Sequence, residues 1–429
     1  MSAPEPSSVE LFVGPNATRI DVWDRYTFDL SMLEVGTAFT FGFWHSEEAR
    51  SPWETLIDPV RGLKCGHPVM LTIDGDAVLS GIVETRAVGD EFGPFAPAFM
   101  ISGRDELGAA VSGDVDPTVT LAGRMLTDAL EALYRGVGIR PEVSVSVQEQ
   151  TRRTAETIAR HRRAAFAQRL TDLRVKAEAG IAEAAAELSR VDASGPRPYS
   201  VTKASHPSIG EKVQVAVDRI VGSMGFRVWT TAAPASGGTT VIVDRPRTSG
   251  PPAFSLLRQL IGGRITDASN IYGGKETTSI AGVPTTVTVF ADRPRGDSQA
   301  GKIERTVTNG FLLTPAASAR IADNLRECPR YVESRTACTE AAAHNEAARI
   351  CAEANERLRI YECTVLGHRQ NGKLWVPNSR VSVRDELVGI DETMLLVSVQ
   401  YSGGRQEGPR TRLKLLPEGA INEVPLREA

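Results

Sequence analysis

At 429 residues the chain exceeds what one compact core holds, and a domain-size prior of about 150 residues predicts roughly three units. Hydrophobic residues at 41% and charged residues at 24% are ordinary for a globular chain, while 38 glycines and 25 prolines demand many turns and lean the composition toward β structure. A net charge of −4 excludes a general attraction to phosphate backbones or anionic lipid, so either partner would need a local basic patch.

Residues 9–106 read as strands. Val9 to Val13 runs into the turn Gly14-Pro15-Asn16; Phe39, Phe41 and Phe43 alternate onto one face; and Val69, Leu71 and Ile73 do the same before the tight reversal Asp74-Gly75-Asp76 leads into Ala77 to Glu84. The period then changes. Leu121, Met125, Leu126, Ala129, Leu130 and Leu133 fall at helical spacing, with Gly136 expected to end the helix in the left-handed region, and a short strand at Val143, Val145 and Val147 follows. A second helical face, Val213, Val217, Ile220, Val221 and Met224, closes at Gly225, and Phe226 to Thr231, a Gly237-Gly238 turn and Thr239 to Val243 make a hairpin.

Between these lies an Ala-rich stretch, 149–194, in which Phe166, Leu170, Leu173, Ala177, Ile181, Ala184, Leu188 and Val191 form a coiled-coil-like stripe with one stutter. At about 1.5 Å per residue an unbroken helix there would run roughly 65 Å and project from the body. Alternatively, a bend at Gly180 would lay its basic half against its acidic half as a hairpin. Further on, a short helix is expected from Phe254 to Gly262-Gly263, strands around Val283, Val287 and Val289, a crossing helix at 336–359, and closing strands at Ile360 to Gly367, Leu374 to Val383, Met394 to Tyr401 and Arg410 to Leu416.

Chemistry-bearing patterns are sparse. Gly296 to Lys302 has phosphate-loop spacing, but Ile303 stands where a magnesium-binding hydroxyl is needed and a strand follows in place of a helix, so it reads as a polar loop. The six histidines (45, 67, 161, 206, 344, 368) never pair at metal-binding spacing, and no Gly-x-Ser-x-Gly elbow marks a nucleophile. No catalytic, cofactor-binding or metal residue is assigned. Asp105 and Glu106 are adjacent carboxylates after Gly103-Arg104, best read as an ion pair of Arg104 at a domain junction. The five cysteines (65, 328, 338, 351, 363) are scattered and expected to be buried, reduced thiols. The arginines of the Ala-rich stretch spread around the helix without aromatics, which favours a solvated helix over a specific nucleic-acid interface. MSAPEPSSVELFV has no charged run leading into an apolar one, and no stretch approaches about 18 apolar residues, so a chain made and kept in water is expected, without a membrane partner.

Two passages carry a resemblance. "VLSGIVETRAVGDEFGPFAPAFMISGRDELGAAV" is similar to the barrel-to-linker passage of Mu-like phage baseplate hub proteins, and "VLGHRQNGKLWVPNSRVSVRDELVGIDETMLLVSVQYSGGRQEGPRTRLKLLPEGA" resembles their closing barrel. The helical arm is a departure from that pattern. The expected fold is α+β, mostly β: two small β-barrel domains, 1–106 and 254–429, plus an α+β domain, 107–148 with 198–253, carrying the long helical insertion 149–197. The resemblance implies a non-enzymatic structural protein: a homotrimeric ring in which two barrels per chain give pseudo-sixfold symmetry. It would join a hexameric tail tube protein to a trimeric central spike protein, as in the related hub region of type VI secretion spike proteins, with baseplate wedge proteins as further neighbours. Its place would be the virion tail baseplate, after assembly in the host cytoplasm. A tail-tip peptidoglycan hydrolase is the alternative. Trp375, Pro377 and Asn378 in "NGKLWVPNSRVSVRDE" are the first structural candidates: Trp375 to cover the open end of a barrel and Pro377 to blunt a strand edge. Gly103, Arg104 and Asp105 are the second set.

Overall fold

The computed structural model of the chain describes residues 7–20, 23–43, 63–88, 99–121, 126–139, 171–172, 175–176, 178–179, 209–222, 226–232, 239–247, 249–292, 302–321, 325–334, 340–404 and 407–421. Strands dominate because alternating side chains find a core on one side only. Val9–Val13, Arg25–Ser31 and Phe99–Asp105 each bury every second residue, and Phe39, Phe41 and Phe43 are all buried. Asp74 (φ 52) and Gly75 (φ 84) take the left-handed conformations of a two-residue hairpin between Pro68–Ile73 and Asp76–Val88, as the sequence predicts.

Two β units share one strand order. In the first, Arg25–Ser31, Ala38–Phe43, Phe99–Asp105, Asp76–Val88, Pro68–Ile73 and Val9–Val13 lie side by side, with Thr18–Ile20 beyond. In the second the order is Ile271–Thr278, Arg359–Leu366, Arg410–Pro417, Ile390–Gly404, Ser379–Asp385 and Phe254–Arg258. Numbered along the chain without Thr18–Ile20, both read 2-3-6-5-4-1. In both, the long fifth strand carries a bulge against the sixth, between Val83 and Thr85 in one and between Leu396 and Ser398 in the other. They differ at the first strand, antiparallel to its neighbour in the first unit and parallel in the second.

The units are not separate bodies. Arg25–Ser31 pairs antiparallel along its whole length with Ser398–Gly404, the far half of the long strand Ile390–Gly404, and this fuses both units into one 13-stranded sheet. One buried cluster runs through both, from Val9 and Leu11 to Leu413 and Leu415, and Phe28 stacks on Tyr401 across the seam at 4.9 Å.

Two smaller layers flank this sheet. Helices Leu107–Ser112, Leu126–Arg135 and Val213–Gly222 pack with the hairpin Arg227–Ala232/Thr239–Asp244 around Leu126, Leu130, Val217 and Val241. The first of the long helical faces ends differently from its expectation: the positive φ belongs to Gly138 (φ 80), two residues past Gly136, because Val137 and Gly138 both turn back onto Tyr134 and Arg135 carbonyls. In the second layer Thr286–Asp292 lies between Lys302–Thr308 (antiparallel) and Pro329–Ser334 (parallel), and helix Glu340–Asn355 covers one face through Ala343, Ala347, Ile350 and Cys351. Val287 and Val289, placed by sequence in the second barrel, belong here instead, since a strand segment by itself does not say which sheet it joins.

The expected helix from Phe254 is a strand. Phe254, Leu256 and Arg258 alternate inward, and Gly262 (φ 59) and Gly263 (φ 79) turn a small hairpin, Leu260–Ile261 against Arg264–Ile265. Cys351 and Cys363 are buried free thiols, whereas Cys65 and Cys328 are exposed, contrary to expectation. Gly225, Met224, the strand at 143–147, the turn at 237–238, Cys338, residues 296–301 of the phosphate-loop-like stretch, and nearly all of the arm, 149–197, lie outside the described residues. Within the arm, Thr171, Asp172, Val175, Lys176 and Glu178 are helical and exposed. Among the described residues no helix is long and apolar enough to cross a membrane.

Candidate functional site

One residue from each set singled out in the sequence, Asp105 and Asn378, falls on a joint between units. Gly103 lies where strands Asp76–Val88 and Phe99–Asp105 cross closely: a Cβ there would sit 2.0 Å from the Ile82 carbonyl oxygen. Arg104 pairs with Glu84 on the neighbouring strand, Nε donating at 2.9 Å to both carboxylate oxygens, and also donates to Ser112 Oγ at 3.1 Å. The partner is thus Glu84 rather than its chain neighbours Asp105 or Glu106: Arg104 faces Ile82 in the register, and Glu84, skipped at the bulge two residues on, comes within its reach. Asp105 points the other way, into the protein. It is buried, accepts from Thr230 Oγ1 at 2.6 Å, and its backbone N–H donates to Thr37 O at 2.9 Å. Burial pushes its carboxyl above the usual range. Thr230 belongs to the flanking hairpin, so Asp105 ties the first β unit to the α+β layer.

The second corner does the same for the second unit. Asn378 holds φ at 61°, its N–H donates to Leu396 O, its Oδ1 accepts from Arg247 N–H at 2.7 Å, and its Nδ2 donates to Arg245 O at 3.1 Å. It therefore clasps the chain leaving the hairpin layer. Trp375 is sealed in the core, 1% exposed and stacked on Phe254 at 4.4 Å, and its carbonyl accepts from the Tyr401 hydroxyl. Pro377 guards no edge. Strand Ser379–Asp385 is paired on both sides, with Phe254–Arg258 and Ile390–Leu396, so Pro377 only shapes the turn into Asn378.

Two further contacts, which sequence periodicity does not reveal, lock the seam between the β units, and a third braces the second unit from within. Arg369 reaches from the second unit to the Asp74-Gly75-Asp76 turn of the first, donating to Asp74 Oδ2 at 2.9 Å, Asp76 Oδ2 at 2.6 Å and Ile73 O at 3.1 Å. His368 is fully buried between Tyr26 of the first unit and Thr411 of the second. Because the Thr411 hydroxyl donates to Gly367 O at 2.7 Å, its oxygen accepts from His368 Nδ1–H, leaving Nε2 to accept from the Tyr26 hydroxyl. Burial lowers the imidazole pKa to about 4, so the ring is neutral. Inside the second unit Arg258 grips Asp385 through two hydrogen bonds of 2.8 and 2.5 Å, and Tyr361 also donates to Asp385 Oδ2. The only hint in the sequence is the like-charged pair flanking Gly75, which invites a cation, and nothing local names Arg369 as that cation.

A cleft of about 480 Å³ opens between helices Val213–Gly222 and Glu340–Asn355. Arg227 holds Glu356, Arg349 holds Glu353, and Arg219 holds Glu211 at 3.2 Å. Among the described residues its lining includes no Ser, Cys or His. Among the described residues no three His, Cys, Asp or Glu side chains converge as a metal site.

This arrangement is a framework of joints. Residues 356–420 match the family described as "Tail protein, C-terminal domain". That stretch holds His368, Arg369, Trp375, Asn378 and Asp385. Across nearly the whole chain the fold is that of phage tail proteins: the tail protein of Neisseria meningitidis MC58 superposes with a TM-score of 0.67 at 20% identity, covering 98% of this chain and 99% of that one. The 43 kDa tail protein of prophage MuSo2 from Shewanella oneidensis gives 0.62 at 18%, covering 97% and 100%. No curated protein sequence matches.

Proposed function

We propose that the chain is a structural baseplate hub of a phage tail or tail-like injection machine, three copies forming a ring between a hexameric tail tube protein and a trimeric central spike protein. The observation that carries the reading is the doubled β unit: two six-strand sets of identical order, fused edge to edge within one chain, so that three chains present six comparable units to a sixfold tube. The seam is built for rigidity, with continuous backbone pairing, a shared core and the Arg369 clasp. The shared fold with two tail proteins supports the setting, and the virion tail is the matching location. Light scattering on the purified chain, alone and mixed with its spike partner, tests it: the expected mass is three times 46.2 kDa, and a chain that stays monomeric with spike present refutes it.

A further inference from the structure

In the intrachain seam, the far half of the long fifth strand of the second unit (Ser398–Gly404) pairs with the free edge of the second strand of the first unit (Arg25–Ser31). Each partner has a counterpart that is left unpaired among the described residues. The counterpart of Ser398–Gly404 is the end of Asp76–Val88: residues 85–88 pair with Phe99–Ser102 on one side, and the pairing with Pro68–Ile73 on the other side stops at Ile82. The counterpart of Arg25–Ser31 is Ile271–Thr278, which pairs with Arg359–Leu366 and ends the sheet, with no strand on its other edge among the described residues.

Resting on the trimer reading above, we infer that the ring closes by strand addition between copies: residues 85–88 of one copy pair antiparallel with Glu276–Ser279 of the next, repeating the seam found within each chain. The register follows from the bulges. Val397, skipped in the second unit, corresponds to Glu84, skipped in the first. Carrying the register across the third and sixth strands places Lys275 where Thr27 stands and Thr278 where Leu30 stands. Leu30 faces Val399 in the seam, and the corresponding facing pair between copies is Thr278 and Arg86.

Edge strands with free N–H and C=O groups are a liability unless something covers them, and the same geometry already serves as a seam in this molecule. The exposed side chains fit a contact formed only on assembly: Thr85, Arg86, Lys275, Thr277 and Thr278 are all exposed in the single chain, polar enough for the chain to stay soluble before assembly. The contact is head-to-tail, and on the trimer reading three seams within chains and three between them make a ring of six units.

Paired cysteines test the register. Facing residues in an antiparallel pair have Cβ atoms about 5 Å apart, within disulfide reach. With Cys65, Cys328 and Cys338 replaced by serine, Arg86→Cys and Thr278→Cys are combined in one chain and oxidised with copper phenanthroline under conditions where light scattering reports the trimer. The expected result is a covalent trimer on a non-reducing gel that needs both substitutions. A trimer by light scattering that gives no covalent species overturns this interface and leaves the hub reading standing. A chain that forms no trimer in any condition overturns both.

Discussion

Acid should loosen the seam through one residue. His368 is 0% exposed, and burial holds its pKa near 4 against an ordinary value of 6.5. The folded protein therefore refuses a proton that the unfolded chain accepts. Above pH 6.5 neither state is protonated and the term vanishes; as pH falls from 6.5 to 4 the unfolded state is favoured by about 1.4 kcal/mol per unit, a loss of about 3 kcal/mol. Protonating Nε2 also removes the acceptor of the Tyr26 hydroxyl, the hydrogen bond that crosses between units. The assay is urea unfolding followed by tryptophan fluorescence at pH 7 and pH 4, for the natural chain and His368→Gln, which keeps a donor and an acceptor but does not titrate. The variant is expected to be weaker at pH 7 by about 1 kcal/mol from imperfect hydrogen bonds. The natural chain should then lose about 3 kcal/mol more than the variant between the two pH values, reversing their order. Equal losses would refute the assignment of a neutral, desolvated His368.

Three more outcomes follow from the joints. Gly103→Ala is expected to cost about 3 kcal/mol or more, because backbone must move to admit the methyl, whereas Gly273→Ala, with open space around it, should cost less than about 1 kcal/mol; urea midpoints of the pair separate a close crossing from a general glycine effect. Asp385→Asn leaves the Arg258 guanidinium, 4% exposed, without its counter-charge and should destabilise by about 3–5 kcal/mol; a near-neutral result by chemical denaturation would mean the pair is hydrated. Asn378→Ala loses both hydrogen bonds to the 245–247 segment and the tolerance of φ 61, at a cost of about 2–3 kcal/mol, while Asn378→Asp keeps the bond from Arg247 N–H and should recover part of it.

How much of this was legible in the chain depends on the range of the interaction. Alternation at Phe39, Phe41 and Phe43, the Asp74-Gly75-Asp76 reversal, and the helical face of Leu126, Leu130 and Leu133 are local: period and turn chemistry act over a few residues, and the structure agrees with the sequence at each. The same locality marked Asn378 and Asp105 as residues of unusual context without saying what they hold, since Arg247 and Thr230 lie more than a hundred residues away. Trp375 is visible as a large apolar anchor, but whether it covers an open end or lies stacked on Phe254 depends on Phe254–Arg258, expected as a helix, being a strand.

Tertiary structure alone decided which edges meet. Backbone hydrogen-bonding groups are identical at every residue, so pairing Arg25–Ser31 with Ser398–Gly404 leaves no signature in either segment, and a clasp such as Arg369 on Asp74 and Asp76 exists only once distant turns are brought together. The amino-acid order set two β units and their turns. Their fusion into one sheet, and the two edges left over, came from how the folded units pack side by side, which depends on shape complementarity over the whole chain rather than on any local spacing.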